Sequence, residues 1–237
     1  MTALDAVGPM DVLRFLPGAQ LELVNAALVQ AQGLVLITGP TGSGKTTTLH
    51  SALGFINTED MKIWTAEDPV EITQKGLRQV QVQPKIDFTF AAAMRSFLRA
   101  DPDVIMVGEM RDHETAAIGI EASLTGHLVF STLHTNSAPE TITRLLDMDI
   151  DPFNFADALL GIMAQRLIRV LCVKCKEGYQ LTPEEFEEII EAYGYDYWPS
   201  TGITYSPDLA LYRPKDKGCS QCNNSGYKGR MGVHELL

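Results

Sequence analysis

The sequence lacks long apolar runs, and no stretch approaches the roughly 20 apolar residues that a membrane-spanning helix needs. Its first ten residues also lack a basic region followed by an apolar segment, which argues against a secretory signal peptide. Hydrophobic residues make up 45% of the chain, so a sizeable core can be buried, and there is no internal repeat and no low-complexity segment. We expect a cytosolic protein with no direct membrane insertion.

Basic residues are comparatively few, with 19 lysines and arginines against 30 acidic residues and a formal net charge of −11. An acidic surface repels nucleic-acid phosphates, although a local basic site remains compatible with it. The chain also has no basic stripe interleaved with aromatic residues. We therefore expect no nucleic-acid partner.

Cysteine is confined to two C-x-x-C pairs, Cys172 with Cys175 and Cys219 with Cys222. In a reducing compartment, such clustering favours a metal site over disulfides. Each pair can supply two thiolates from one tight turn, which predicts a closed structural Zn²⁺ site with four sulfur ligands. The spacing between the pairs is longer than in common zinc fingers, and the alternative is four ordinary buried cysteines.

Apolar strand-like runs alternate with helix-like segments along most of the chain. We predict strands at 33–38, 62–68, 78–83, 103–109 and 127–134, and helices at 19–31, 44–55, 89–99, 112–124, 139–146 and 153–171. This alternation predicts an α/β fold with a mainly parallel sheet covered on both faces. Beyond it, Thr182 and Glu185 form a capping box that predicts one further helix starting at Pro183.

A glycine-rich segment after the first predicted strand fits the pattern G-x-x-x-x-G-K-[ST]. Its residues are Gly39, Pro40, Thr41, Gly42, Ser43, Gly44, Lys45 and Thr46, with Thr47 next. The glycines let backbone N–H groups approach phosphates, and the helix that follows adds positive potential. Lys45 is expected to contact the β and γ phosphates, and the Thr46 hydroxyl is expected to bind Mg²⁺. The segment predicts ATP as a ligand.

Acidic residues end two other strands of the predicted sheet. Glu67 and Asp68 end the second strand, and Glu109 ends the fourth. Ligands of open parallel sheets bind beyond the carboxyl ends of the strands, so these acids could converge on the γ-phosphate and activate water. Gly108 stands where many P-loop proteins place a Mg²⁺-binding aspartate, which leaves Thr46 as the expected direct ligand. Alternatively, the acids are merely exposed strand ends.

Two histidines flank the fifth predicted strand. His134 ends it, together with Thr132, at the position where a polar group can sense the γ-phosphate. His127 lies at the opposite end, where contact with phosphate in the same subunit is less natural. For both histidines a purely structural role is the alternative.

The segments GPTGSGKTTTL, AEDPVE, LRADPDVIMVGEMRD, TGHLVFSTLHTN and AQRLIRVLC occur in this order. They resemble the ring-forming ATPases of type II secretion and type IV pilus assembly, from about Leu34 to Leu237. The resemblance implies a RecA-like ATPase that forms a homo-hexamer and drives pilin or pseudopilin extrusion. It also implies inner-membrane platform partners and a location at the cytoplasmic face of the bacterial inner membrane.

The family's motifs map onto individual residues of this chain. Glu67 and Asp68 fall in the aspartate box, Glu109 in Walker B, and His127 and His134 in the histidine box. The resemblance also covers the stretch in which the family carries arginines near the nucleotide or the subunit interface: Arg78, Arg95 and Arg99. Solvated surface arginines are the alternative.

The resemblance also suggests a domain organisation and leaves alternatives open. We expect a linker or the remnant of an upstream domain at 1–18, a RecA-like ATPase domain at 19–168, and a tetracysteine zinc-binding subdomain at 169–237 that is truncated at its C-terminus. The four cysteines resemble the assembly and export branch rather than the pilus-retraction branch. Competing interpretations are a pilus-retraction ATPase, a nucleic-acid-translocating ATPase and a non-catalytic scaffold.

Overall fold

The computed structural model of the chain describes residues 18–237. The linker expected at residues 1–18 lies outside them, except for Gly18, which begins the first helix. The described residues up to Leu167, together with Gly232–Leu237, form one compact unit, and Ile168–Met231 form a second. Within the described part of the chain, no helix combines the length and apolar character needed to cross a membrane.

The first unit contains most of the regular structure, and β6 and β9 each have residues in both units. In chain order its elements are α1 (Gly18–Leu28), β1 (Gly33–Thr38), α2 (Lys45–Ile56), β2 (Ile63–Glu67), β3 (Arg78–Gln81), a 3₁₀ turn (Pro84–Ile86), α3 (Phe90–Phe97), β4 (Val104–Val107), α4 (His113–Leu124), β5 (Leu128–Leu133), α5 (Ala138–Asp147), α6 (Pro152–Ala158) and β6 (Leu159–Leu171). The elements that follow are β7 (Glu177–Gln180), α7 (Pro183–Tyr193), a 3₁₀ turn (Trp198–Thr201), β8 (Ala210–Arg213), a 3₁₀ turn (Ser220–Cys222) and β9 (Tyr227–Leu236).

The main sheet has the strand order β3-β2-β4-β5-β1-β6-β9. The pairs β3–β2, β2–β4, β4–β5, β5–β1 and β1–β6 are all parallel. At the far edge, Ile162 and Leu237 exchange both backbone hydrogen bonds, at 2.9 and 3.0 Å. The predicted mainly parallel α/β sheet is confirmed, and its order places β5 between β1 and β4.

The sheet is buried on both faces because successive strand residues point to opposite sides. In β4, Ile105 and Val107 pack with residues of α3 and α4, whereas Val104 and Met106 pack with residues of α2 on the other face. Phe130 of β5 is fully buried in the second cluster. This burial fixes the register of the strands and therefore the positions of the residues that follow them.

Side-chain caps fix where several helices begin. The Thr89 side chain accepts from Ala92 N before α3, Asp112 from Thr115 N before α4, and Ser137 from Glu140 N before α5. Such caps satisfy backbone donors that no helical carbonyl can reach. Because Asp112 closes the loop that begins at Glu109, its cap also limits the freedom of that loop.

The prediction of one helix over residues 153–171 is wrong, because α6 ends at Ala158 and β6 begins at Leu159. A short apolar run fits both helical and strand periods, and the sequence alone does not separate them. The edge of β1 decides the outcome, since Val35 pairs with Gly161 and Thr38 with Ala164 in parallel register. The strand satisfies the backbone groups of β1 that would otherwise lack partners.

The second unit contains the antiparallel pair β7–β8 and helix α7. The predicted capping box is present, because Glu185 N donates to the Thr182 side chain while Thr182 N donates to the Glu185 side chain. Phe186 of α7 contacts Trp198 edge-on at 5.5 Å between ring centroids, and Tyr205 at 5.5 Å. These aromatic contacts give the unit a small apolar core of its own.

Candidate nucleotide site and cysteine cluster

The glycine-rich loop connects the end of β1 to the start of α2, as the sequence predicts. Gly39, Gly42 and Gly44 have φ angles of 143°, 78° and 90°, which residues with a Cβ rarely adopt. At Gly39 a Cβ would also lie 2.2 Å from the Gln165 carbonyl oxygen. The loop therefore needs glycine both for its conformation and for its close packing against β6.

The Lys45 side chain is buried and folds back along the loop. Its Nζ donates to the carbonyl oxygens of Gly39 and Pro40, at 2.8 and 3.2 Å, and lies 3.5 Å from His134 Nδ1. Burial lowers the pKa of Lys45, and the nearby Glu109 carboxylate partly opposes this shift. The Thr46 side chain is half-buried in the first turn of α2.

The sheet order brings His134 and Glu109 together, because β5 lies directly between β1 and β4. Glu109 Oε1 is 3.2 Å from His134 Nε2, and Glu109 Oε2 accepts from Arg111 Nε at 2.7 Å. Only 17% of the Glu109 side chain is exposed. The result is a continuous series of polar contacts from Lys45 through His134 and Glu109 to Arg111.

An open pocket of about 450 Å³ adjoins these residues. Glu109, Arg111 and His134 line one side, and residues of α5, including Arg144, line the other. Nearby in the sheet, Thr132 Oγ1 donates to the Gly108 carbonyl oxygen at 2.7 Å, which joins β5 to the segment that follows β4. Water can therefore reach the Glu109 carboxylate from this side.

Glu67 has a different environment, since it is buried and both of its carboxylate oxygens have side-chain partners. Thr65 Oγ1 and Gln79 Nε2 donate to Oε1 at 2.6 and 2.9 Å, and His50 Nε2 lies 3.2 Å from Oε2. Burial alone raises the pKa of Glu67, but the hydrogen bonds from His50, Gln79 and Thr65 outweigh it and hold the pKa below its usual value. The neighbouring Asp68 is exposed.

The remaining candidates lie on the surface or away from the loop. Arg78 is exposed, with its guanidinium 6.0 Å from the Trp64 ring, and Arg99 is exposed as well. Arg95 forms an exposed ion pair with Glu114. His127 precedes β5, and its Nδ1 is 3.0 Å from the Ala122 carbonyl oxygen at the end of α4. The sheet register places His127 beside the start of β1, at the opposite end from the glycine-rich loop.

Sequence reasoning missed several residues that contact the candidates, among them His50, Arg111 and Gln165. Arg111 and Gln165 lie inside segments that were noted for other residues, and His50 directly follows one of them. Gln165 lies in the segment that was predicted as a helix, so its place beside the loop could not be foreseen. Its Nε2 donates to the Ser43 carbonyl oxygen at 2.7 Å.

The four cysteines converge in the second unit, with their sulfur atoms all within 4.8 Å of one another. Cys172 Sγ is 3.9 Å from Cys219 Sγ, and Cys222 Sγ is 3.8 Å from both Cys175 Sγ and Cys219 Sγ. A tetrahedral site with Zn–S distances of about 2.3 Å has sulfur–sulfur edges of about 3.8 Å. The spacing of the sulfurs therefore fits a Zn²⁺ ion.

The surroundings of the cluster favour a thiolate at Cys222 and disfavour one at Cys175. Backbone N–H groups of Cys219 and Gly226 donate to Cys222 Sγ at 3.2 and 3.3 Å, and these bonds lower the pKa of Cys222 to about 6. Desolvation and the neighbouring cysteines raise the pKa of Cys175 to about 12. A cation among the sulfurs would stabilise all four thiolates, so the donor set fits the predicted metal.

A parallel sheet with a glycine-rich loop after β1 and acids after two other strands, β2 and β4, is typical of the P-loop class of α/β proteins. Within this class, the family model of the "Type II/IV secretion system protein" matches residues 11–237. The chain belongs to this family, which confirms the resemblance inferred from the motifs.

Relatives with curated names and a solved structure agree with this assignment. Over 219 residues the chain is 48% identical to type II secretion system protein E of Aeromonas hydrophila, covering 92% of this chain and 41% of that protein. It is 50% identical over 218 residues to the type IV pilus assembly ATPase PilB of Pseudomonas aeruginosa, covering 92% and 36%. This chain is also similar to the pilus retraction motor PilT in its crystal structure with bound ADP. The sequence identity is 35% and the TM-score is 0.55, and the match covers 82% of this chain and 59% of PilT. The chain thus spans about two fifths of the length of these curated relatives.

Proposed function

We propose that this chain binds ATP with Mg²⁺ and hydrolyses it as the motor domain of a type II secretion or type IV pilus assembly machine. The observation that carries the proposal is the convergence of Lys45, His134 and Glu109 at one end of the sheet. Glu109 is accessible from an open pocket, so a water molecule beside it can be oriented toward a phosphate on the loop.

Each residue of the site has a role that follows from its position. Backbone N–H groups of the loop and the start of α2 bind phosphate oxygens, and the Lys45 ammonium neutralises their charge. Thr46 is the residue that would hold Mg²⁺, an ion that supplies charge neutralisation between the phosphates. His134 contacts both Lys45 and Glu109, so it is suited to sense the γ-phosphate and to orient the carboxylate.

Glu109 is a better candidate than Glu67 for activating water. Glu67 is only 3% exposed, and its carboxylate already contacts three side chains. Its burial leaves little room for a water molecule beside it. We assign Glu67 to holding α2, β2 and β3 together near the loop.

The wider role follows from the family and from the names of the relatives. Type II secretion proteins and a pilus assembly ATPase match at nearly equal identity, so the proposal is stated at the level they share. In that role the complete protein would form a hexamer on platform proteins at the cytoplasmic face of the inner membrane, with Arg78, Arg95 or Arg99 near a neighbouring nucleotide. The tetracysteine cluster favours assembly or export over pilus retraction.

Mg·ATP binding by this chain tests the nucleotide site directly. Lys45→Ala should weaken the affinity measured by titration calorimetry by at least about tenfold, because the variant loses a charge-assisted phosphate contact. Lys85→Ala removes an exposed lysine and should bind like wild type. Thermal melting would verify that both variants are folded. Equal affinities of Lys45→Ala and wild type would contradict the assignment of the loop.

A further inference from the structure

A buried amide from β6 forms hydrogen bonds with both the glycine-rich loop and helix α2. The Gln165 side chain is 1% exposed, and so is Thr48, its partner in α2. Gln165 Nε2 donates to the Ser43 carbonyl oxygen and its Oε1 accepts from Thr48 Oγ1, both at 2.7 Å. One side chain therefore connects the last turn of the loop to the helix that follows it.

The orientation of this amide is determined by its partners. The Ser43 carbonyl can only accept a hydrogen bond, so it requires the nitrogen of the amide, and the oxygen is left for the Thr48 hydroxyl. Glutamine is thus matched to the site in both shape and polarity. A glutamate of the same size would place an acceptor against the Ser43 carbonyl, whereas methionine would fill the space with no hydrogen bond.

The bond to Ser43 also determines which way the next peptide N–H points. In a trans peptide the C=O of Ser43 and the N–H of Gly44 point in opposite directions. Because the carbonyl faces Gln165 on the β6 side, the Gly44 N–H faces away from β6. Gly44 has a φ of 90° and a Cβ there would lie 2.9 Å from Gln165 Nε2, so the peptide packs closely against the amide.

We propose that Gln165 is a positioning residue that holds the Ser43–Gly44 peptide with its N–H directed at the nucleotide phosphates. This inference rests on the proposed function and adds a specific residue to it. In this arrangement Gln165 never touches the nucleotide. It pre-organises the donor, so phosphate binding does not have to order the peptide.

Gln165→Glu replaces the donor to the Ser43 carbonyl by an acceptor, and Gln165→Met removes both hydrogen bonds of the amide, so the two variants test this role in different ways. Both variants should bind Mg·ATP at least about tenfold more weakly in calorimetry, because a buried carbonyl is left unpaired and the loop is less ordered. The KM for ATP should rise more than kcat falls, since the donor is misplaced before chemistry. Gln83→Glu, at an exposed glutamine, is the matched control and should bind like wild type.

Thr48→Val provides an independent test, because it removes the hydrogen bond from Thr48 to Gln165 and leaves Gln165 itself in place. If the amide connects the loop and the helix, the losses of affinity in Thr48→Val and Gln165→Met should be non-additive in a double-mutant cycle. Folded Gln165 variants with wild-type affinity, or strictly additive losses, would overturn the inference while leaving the proposed function intact. Failure of the wild-type chain itself to bind Mg·ATP would overturn both.

Discussion

Glu67 and Glu109 both lie at the ends of parallel strands, yet their surroundings differ at the level of single atoms. Glu109 faces a pocket beside His134 and Arg111, whereas Glu67 is enclosed by Thr65, His50 and Gln79. A carboxylate with an accessible lone pair is suited to chemistry, and one enclosed by donors is suited to stabilising a fold. The two acids can therefore be distinguished by how their substitution affects stability.

Glu67→Gln should destabilise the protein in a pH-dependent way. The pKa of Glu67 is below its usual value in the folded state, so its stabilising contribution is present above the usual pKa of 4.5. That contribution is lost as the pH falls through the lower folded pKa. Urea unfolding should show a cost of about 1–3 kcal/mol at neutral pH and a smaller cost at about pH 3, below the usual carboxyl range.

The exposed Glu71 supplies the control for this experiment, since Glu71→Gln should change stability little at either pH. An identical cost of Glu67→Gln at neutral and acid pH would show that the ionised carboxylate is not what stabilises the site.

At the scale of elements, the second unit contains a cluster of four cysteines that the two C-x-x-C turns of the sequence predict. Its described apolar core is small and centres on Phe186, Trp198 and Tyr205. A metal that joins the two turns restricts the unfolded chain and so stabilises the folded unit. The unit and the main sheet should therefore respond differently to metal removal.

Zinc removal is expected to loosen Ile168–Met231 and leave the main sheet intact. The two tryptophans report separately, because Trp64 lies in β2 and Trp198 lies in the second unit. A strong chelator should change the fluorescence of Trp64→Phe, which retains Trp198, and leave Trp198→Phe nearly unchanged. Elemental analysis should find one Zn²⁺ per chain, in keeping with a single four-sulfur cluster.

Cys219→Ser should lose this metal, whereas Ser220→Ala, a change at the exposed neighbouring position, should retain it. Metal-free protein with four free thiols and unaltered fluorescence after chelation would mean that the cysteines serve only to pack.

Which elements could be predicted from the sequence depends on how local their determinants are. Short patterns that act on their own neighbours predict the glycine-rich loop, the strands β2 and β4, and the capping box at Thr182. The strand β6 could not be predicted, because its apolar run fits both the helical period and the strand period. Pairing with the edge of β1 favours the strand.

The same reasoning explains the contacts that were missed. Gln165 and Ser43 are 122 positions apart along the chain, so no local pattern could connect them.

At the scale of the whole molecule, the sheet order brings residues at the ends of separate strands together in one site. Because β5 lies between β1 and β4, His134 is placed between Lys45 and Glu109. The net charge of −11 argues against a nucleic-acid motor, in keeping with the secretion and pilus proteins that the chain resembles. In the proposed function, Glu109 acts on water beside a nucleotide held by the loop.

The rate of phosphate release from saturating Mg·ATP by the complete protein tests this role of Glu109 most directly. Glu109→Gln should retain Mg·ATP affinity and hydrolyse at least about tenfold more slowly, the low side of general-base effects. Glu67→Gln, assayed at a temperature at which it is folded, should lose less, and Glu59→Gln, at an exposed loop position, should match wild type. Normal hydrolysis by Glu109→Gln together with a loss in folded Glu67→Gln would contradict the account and exchange the roles of the two acids.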